Sequence, residues 1–78
     1  MITVEIMLDA NGKCKEIVEI YFDKNGLEEL QARLTLLQNG KADHIHLMSE
    51  SWGLGDLSEE KHRDTNLLVH HLQLSLLD

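Results

Sequence analysis

A change in hydrophobic period at residue 25 constrains this chain more than any other feature. Before it, ITVEIML (residues 2–8) places Ile2, Val4, Ile6 and Leu8 on one side and Thr3, Glu5 and Met7 on the other. CKEIVEIYF (residues 14–22) likewise sets Val18, Ile20 and Phe22 opposite Lys15, Ile17, Glu19 and Tyr21. Alternation of this kind belongs to strands with one face against a core. Between the runs, DANGK offers Asn11-Gly12 as the source of positive φ values for a tight hairpin turn. After residue 25, Leu27, Leu30, Leu34 and Leu37 recur at spacings of three and four, the stripe of a helix laid on a sheet. Asn25 followed by Glu28 resembles a capping box, with Asp23 as an alternative cap. Glu28 and Glu29 are then expected in the first turn, where the helix dipole favours them, and Asn39-Gly40 offers a left-handed stop.

The period returns to two in ADHIHLMS, where Ile45 and Leu47 lie opposite His44, His46 and Met48. A polar, glycine-punctuated segment, SESWGLGDLSEEKHRDT, comes next, with a short helical turn expected after Asp56 or Ser58. The last run, NLLVHHLQLSLLD, reads as one long strand. Leu68, His70, Leu72, Leu74 and Leu76 form its core face, with Leu67, Val69, His71, Gln73, Ser75 and Leu77 opposite. Leucine content makes helix its rival; the alternation and Val69-His70-His71 favour strand. The expected fold is thus a single α+β domain spanning residues 1–78, of order ββαββ. Its four-stranded, mostly antiparallel sheet carries one helix packed on one face. The other face is expected to present Thr3, Glu5, Tyr21, His44, His46, Met48, His71 and Gln73 as a mixed polar surface.

At 78 residues one small core is all the chain can build, so burial against a partner or a second copy would add stability. Pairing of two copies along an exposed last strand is one such arrangement. The chain carries 7 basic and 14 acidic residues, a formal net charge of -7, which repels nucleic acid and steers toward a basic protein partner. No signal-like leader and no apolar run of about 18 residues is visible, so a cytoplasmic protein without membrane association is expected. The single cysteine, Cys14, has no partner for a disulfide and suits a reducing compartment.

Two groups of residues carry candidate chemistry. His44 and His46, two apart on a strand, point to one face and with His71 form a candidate open zinc-type site; Glu5 or Glu50 are alternative third ligands. The plainer reading is an ordinary amphipathic surface. His70, among leucines, reads as a hydrogen-bonded histidine and not as a ligand. Enzyme activity is not expected: no nucleophile signature and no phosphate-cradling glycine loop is present, and Cys14 beside Lys13 and Lys15 reads as inert. Trp52, the only tryptophan, either folds back as a lid over the sheet edge or serves as an interface anchor, where tryptophan is enriched. Around it Glu50, Asp56, Glu59 and Glu60 form an acidic rim. A charge run of this kind is usually a solvated face, but the acid excess of the whole chain favours partner binding.

The series DKNGLEELQARLTLLQNGKADHIHLMSESWG-LGDLS, followed by NLLVHHLQLSLL, resembles the immunity protein 32 family of bacterial polymorphic toxin systems. The matching pieces are Gly26-Leu27 with the leucine ladder, the His44-Ile45-His46-Leu47 strand, Trp52-Gly53, Leu57, and the closing strand with His70 and His71. They span roughly residues 20 to 77. The resemblance implies a small intracellular α+β protein that binds and neutralises a cognate toxin, and it assigns no contact residues. An acidic surface suits a nuclease toxin, whose cleft is basic.

Overall fold

A computed structural model describes residues 1–78. Strands β1 (Ile2–Leu8) and β2 (Cys14–Phe22) pair antiparallel as a hairpin. Its turn is organised by Asp9, whose Oδ1 accepts from the amides of Asn11 and Lys13 while its carbonyl accepts from Gly12. Only Gly12 takes positive φ there, at 78°, so Asn11 is not needed for it. A bulge shifts the register between Ile6↔Val18 and Leu8↔Cys14, and Glu16 within it sits at φ 60°, a left-handed conformation unusual for a side-chain-bearing residue.

Helix α1 (Lys24–Gln38) starts directly after β2. Asp23, not Asn25, is its N-cap, with Oδ1 accepting from the Gly26 amide at 2.8 Å. The helix therefore starts earlier than the Asn25 capping box placed it, and Glu28 and Glu29 fall beyond the first turn, which holds no acidic residue. Gly26 is buried because the helix start presses on β1: a Cβ there would stand 2.0 Å from the Met1 carbonyl oxygen. The helix ends at Asn39, with Gly40 at φ 78°. Of its leucine stripe, Leu37 is buried and Leu30 packs against the core, while Leu27 and Leu34 stay largely exposed.

Strand β3 (His44–Met48) leads through a 3-10 turn at Glu50–Trp52 into a loop, and the chain closes with β4 (Leu67–Val69) and β5 (His71–Ser75). The helical turn thus comes at Glu50 and not after Asp56 or Ser58. The last run is strand, but it is broken at His70, and each piece takes a different neighbour: β4 pairs with β1, and β5 pairs with β3. The expected four-stranded sheet is accordingly divided into a three-stranded sheet, β2-β1-β4, and a two-stranded one, β3-β5, all pairs antiparallel. One long, exposed last strand along which two copies could pair is therefore not formed. In its place stand pieces of three and five residues, each already paired along one edge.

The break at His70 also shifts the facing by one residue. Leu67 and Val69 pair with Ile6 and Val4 on the core side, and Leu72 and Leu74 pair with Leu47 and Ile45 on the same side. Leu68, expected on the core face, instead pairs with Glu5 opposite. The period-two pattern runs unbroken through the sequence because leucines stand on both sides of the bend.

The core is small: Ile2, Val4, Leu47 and Leu57 form its centre, joined by Leu30, Val69 and Leu72. Leu57 enters from the loop, its amide donating to the Met48 carbonyl, and the next residue's amide donates to Ile2 O at 2.7 Å. On the opposite face Thr3 and Glu5 are fully buried and not displayed on an open surface. The segment of residues 58–66 lies over them, and the Glu5 carboxylate accepts from the amides of His62 (2.7 Å) and Arg63 (3.3 Å) and from Asn66 Nδ2 (2.9 Å). Burial pushes the Glu5 pKa up, but these donors and the nearby His62 outweigh it and hold the carboxyl below its ordinary value. Tyr21 stacks on His62 at 4.5 Å and accepts from Arg63 Nε, closing the same face. No helix is long and apolar enough to cross a membrane.

Candidate functional site: an aromatic and acidic surface beside β3

Ser49 ends β3 and organises the loop after it. Its amide donates to the His70 carbonyl, which is where the last run bends, and its buried Oγ lies 2.7 Å from His70 Nδ1. Gly53, at φ 115°, turns the chain out of the 3-10 turn. Trp52 is thereby laid flat on the His70 ring, centroids 5.7 Å apart and planes 4° from parallel, yet 58% of it remains exposed. Of the two fates open to this residue in the sequence, the structure shows the ring folded back on the chain, parallel to His70, with much of its surface left to solvent.

Next to it the loop forms an open hollow of about 450 Å³, lined by Glu50, Gly55, Leu57, Ser58, Glu59 and Glu60. Three of the four rim acids meet here. Glu59 is held by the Ser51 hydroxyl, which donates to Oε1, with His70 Nδ1 at 3.5 Å. The Ser51 hydrogen bond, opposed by partial desolvation and aided by Ser49 and His70, keeps the Glu59 carboxyl below its ordinary pKa. Neither Lys nor Arg pairs with Glu50, Glu59 or Glu60. The hollow therefore holds positioned carboxylates whose charge no lysine or arginine of the chain neutralises.

Asp56 does a different job from the one the sequence suggested. Its Oδ1 accepts from Arg33 Nη2 at 2.7 Å and its Oδ2 from the Met48 amide at 3.3 Å, tying loop, helix and β3 together. Its charge is already answered from within. Arg33 is the residue that the sequence did not point to; it lies half-buried in line with Gly26, Leu30 and Leu37, and a lone arginine carries no signal of which loop acid will reach it.

The histidines do gather. The β3-β5 register sets Met48 opposite His71 and His46 opposite Gln73, and His46 Nδ1 lies 2.7 Å from His71 Nε2. The His44 ring meets His46 edge-on at 4.9 Å, and His44 Nδ1 is 2.6 Å from Asp43. Two imidazoles sharing one hydrogen bond direct their nitrogens at each other, with one donating, instead of at a common third point. No group of three or more His, Cys, Asp or Glu side chains is placed to hold a metal ion.

A serine, a histidine and a carboxylate also meet here, but Ser49 Oγ and Glu59 Oε1 both approach the same nitrogen, His70 Nδ1. A relay that activates a hydroxyl needs the base to use one ring nitrogen for the nucleophile and the other for the carboxylate. The Ser49 hydroxyl is moreover buried. The cluster fixes the ring under Trp52. Comparison with known protein families, with curated proteins and with solved structures finds no match to this chain.

Proposed function

We propose that the protein is an immunity protein that binds a cognate bacterial toxin through the Trp52 surface and the adjoining acidic hollow. The observation that carries this reading is the pairing of an exposed indole, stacked on His70, with carboxylates that no lysine or arginine of the chain neutralises. An indole held flat before binding loses little freedom when a partner covers it, which is the property of an interface anchor. Glu50, Glu59 and Glu60 complement lysine and arginine, and the net charge of -7 draws a basic protein in from a distance. A nuclease toxin, whose cleft must itself be basic to hold phosphates, is the partner class this surface suits best. On this reading the protein works in the cytoplasm, where such a toxin would act, and no reaction is assigned to it.

Zinc binding by His44, His46 and His71 is the less supported alternative, because the His46–His71 hydrogen bond takes one nitrogen of each ring and the three side chains do not converge on one point.

Co-expression decides the matter. A toxin encoded beside this gene is expressed in a tester strain with and without the protein, survivors are counted, and the complex is isolated. Rescue with a stable stoichiometric complex is the expected outcome. Toxicity without rescue overturns the proposal.

A further inference from the structure

The helix-side face of β2 is left bare. Val18, Ile20 and Phe22 pair with Ile6, Val4 and Ile2 and so share the core side of the sheet, yet they are 58%, 40% and 44% exposed. Helix α1 starts against Met1, touches both β2 and β3, and packs Leu30 on the Ile2, Val4, Leu47 and Leu57 cluster, yet it leaves the apolar side chains of the outer strand exposed. Leu27 and Leu34 of α1 are exposed as well. β2 is besides an edge strand of nine residues, the longest in the molecule, and the chain contains no proline to blunt it.

We propose that β2 is the interface of a homodimer, pairing antiparallel with β2 of a second copy about a two-fold axis at Ile20. The backbone selects this register. The Asp23 amide donates inward to Met1 O, so in antiparallel alternation Tyr21 and Glu19 also turn their groups toward β1, while Val18, Ile20 and Phe22 turn theirs outward. An axis at Ile20 sets Ile20 against its copy and Val18 against Phe22 of the copy, all with outward-facing backbone groups. The two apolar strips then lie side by side on one face of a continuous sheet, each burying the flank of the other. An axis at Val18 would draw Glu16, with its φ of 60°, into the ladder and oppose it to Ile20. In the Ile20 register no like charges face each other, because Glu19 meets Tyr21 and the Lys15-Glu16 bulge lies outside the paired stretch.

The size of the molecule agrees. A folded monomer of 8.9 kDa exposes about 4,800 Å². This chain exposes 5558 Å², an excess of roughly 750 Å², close to the approximately 800 Å² that each partner of a stable interface buries. Its radius of gyration, 13.5 Å, also exceeds the roughly 11.5 Å of a compact chain of this length. β2 belongs to the other sheet from β3 and the Trp52 turn, so the dimer does not draw on that surface and does not rest on the immunity reading.

Light scattering coupled to size exclusion, together with cross-linking, tests this directly. The wild-type chain is expected to elute at twice its monomer mass and Val18→Lys at the monomer mass, with the same far-UV circular dichroism. In a Cys14→Ser background, Ile20→Cys is expected to form a disulfide-linked dimer on mild oxidation, since paired Cα atoms at such a position stand about 5.5 Å apart. Ile17→Cys, about 20 Å from its own copy in this register, is expected to stay unlinked. A monomer at all concentrations overturns the proposal, and so does a dimer that Val18→Lys leaves intact or that links through Ile17→Cys and not Ile20→Cys.

Discussion

The loop between β3 and β4 uses acidic residues in two opposite ways within a few residues' reach. On its inner side it seals the sheet over Glu5, a carboxylate with no exposure and donors from His62, Arg63 and Asn66. On its outer side it holds Glu50, Glu59 and Glu60 around an open hollow with no lysine or arginine attached. The first arrangement exhausts its charge on the fold, and the second keeps its charge for something else. The same side-chain chemistry is structural where every acceptor is satisfied and available for binding where the field points outward.

The largest effect expected from breaking this division is at Glu5. Glu5→Ala leaves the His62 and Arg63 amides without their acceptor and Asn66 Nδ2 with Glu19 alone, and should lower unfolding stability by about 3 kcal/mol or more, read from urea denaturation. A loss under about 1 kcal/mol would mean that water replaces the carboxylate and that the loop is not locked by it.

Trp52→Ala acts on the other side. On the proposed immunity role, toxin binding should weaken by about 2 kcal/mol or more, roughly 30-fold, in calorimetric titration, while stability barely changes because the ring is mostly solvent-exposed. Equal small losses at Trp52, Glu50, Asp56, Glu59 and Glu60 would remove the anchor.

Acid sharpens the contrast. The folded-state pKa of Glu5 is depressed, so its contribution is present above the unfolded carboxyl value of 4.5 and is lost as pH falls below that toward the folded value. Thermal midpoints should therefore fall across this window in the wild type, and the Glu5→Gln variant should show a shallower decline. Parallel declines in both proteins would place the acid sensitivity elsewhere.

The smallest effects belong to the rim. Glu50→Gln or Glu60→Gln should each cost about 0–1 kcal/mol of affinity, seen mainly as slower association that added salt erases. Asp56→Asn should differ in kind, reducing stability through the lost Arg33 pair, and a purely kinetic effect there would return Asp56 to the rim.

Much of the local structure was legible in the chain. The hairpin, the helix and the strand character of residues 44–48 and of the last run come from side-chain period, which each residue's neighbours along the chain suffice to express. The helix cap was one of two alternatives, and the structure took Asp23 because the chain passes from strand to helix without a linker. That Glu50, Glu59 and Glu60 line one hollow was also readable, since all lie in one loop. Asp56 was misplaced because its role depends on Arg33, 23 residues away.

The pattern of residues along the chain thus supplies the alphabet of the fold: two alternating runs, one helical stripe, an alternating third run, and an acid excess that disfavours phosphate-binding roles. Packing in three dimensions added the rest: the last run bends at His70 and serves two sheets, Glu5 is sealed, Leu57 joins the core, and β2 is left uncovered. The physical reason is the range of the forces. Period and capping act over a few residues of chain, whereas the bend, the sealed carboxylate and the bare strand depend on which distant groups satisfy each other's hydrogen bonds and which surfaces one short helix can reach.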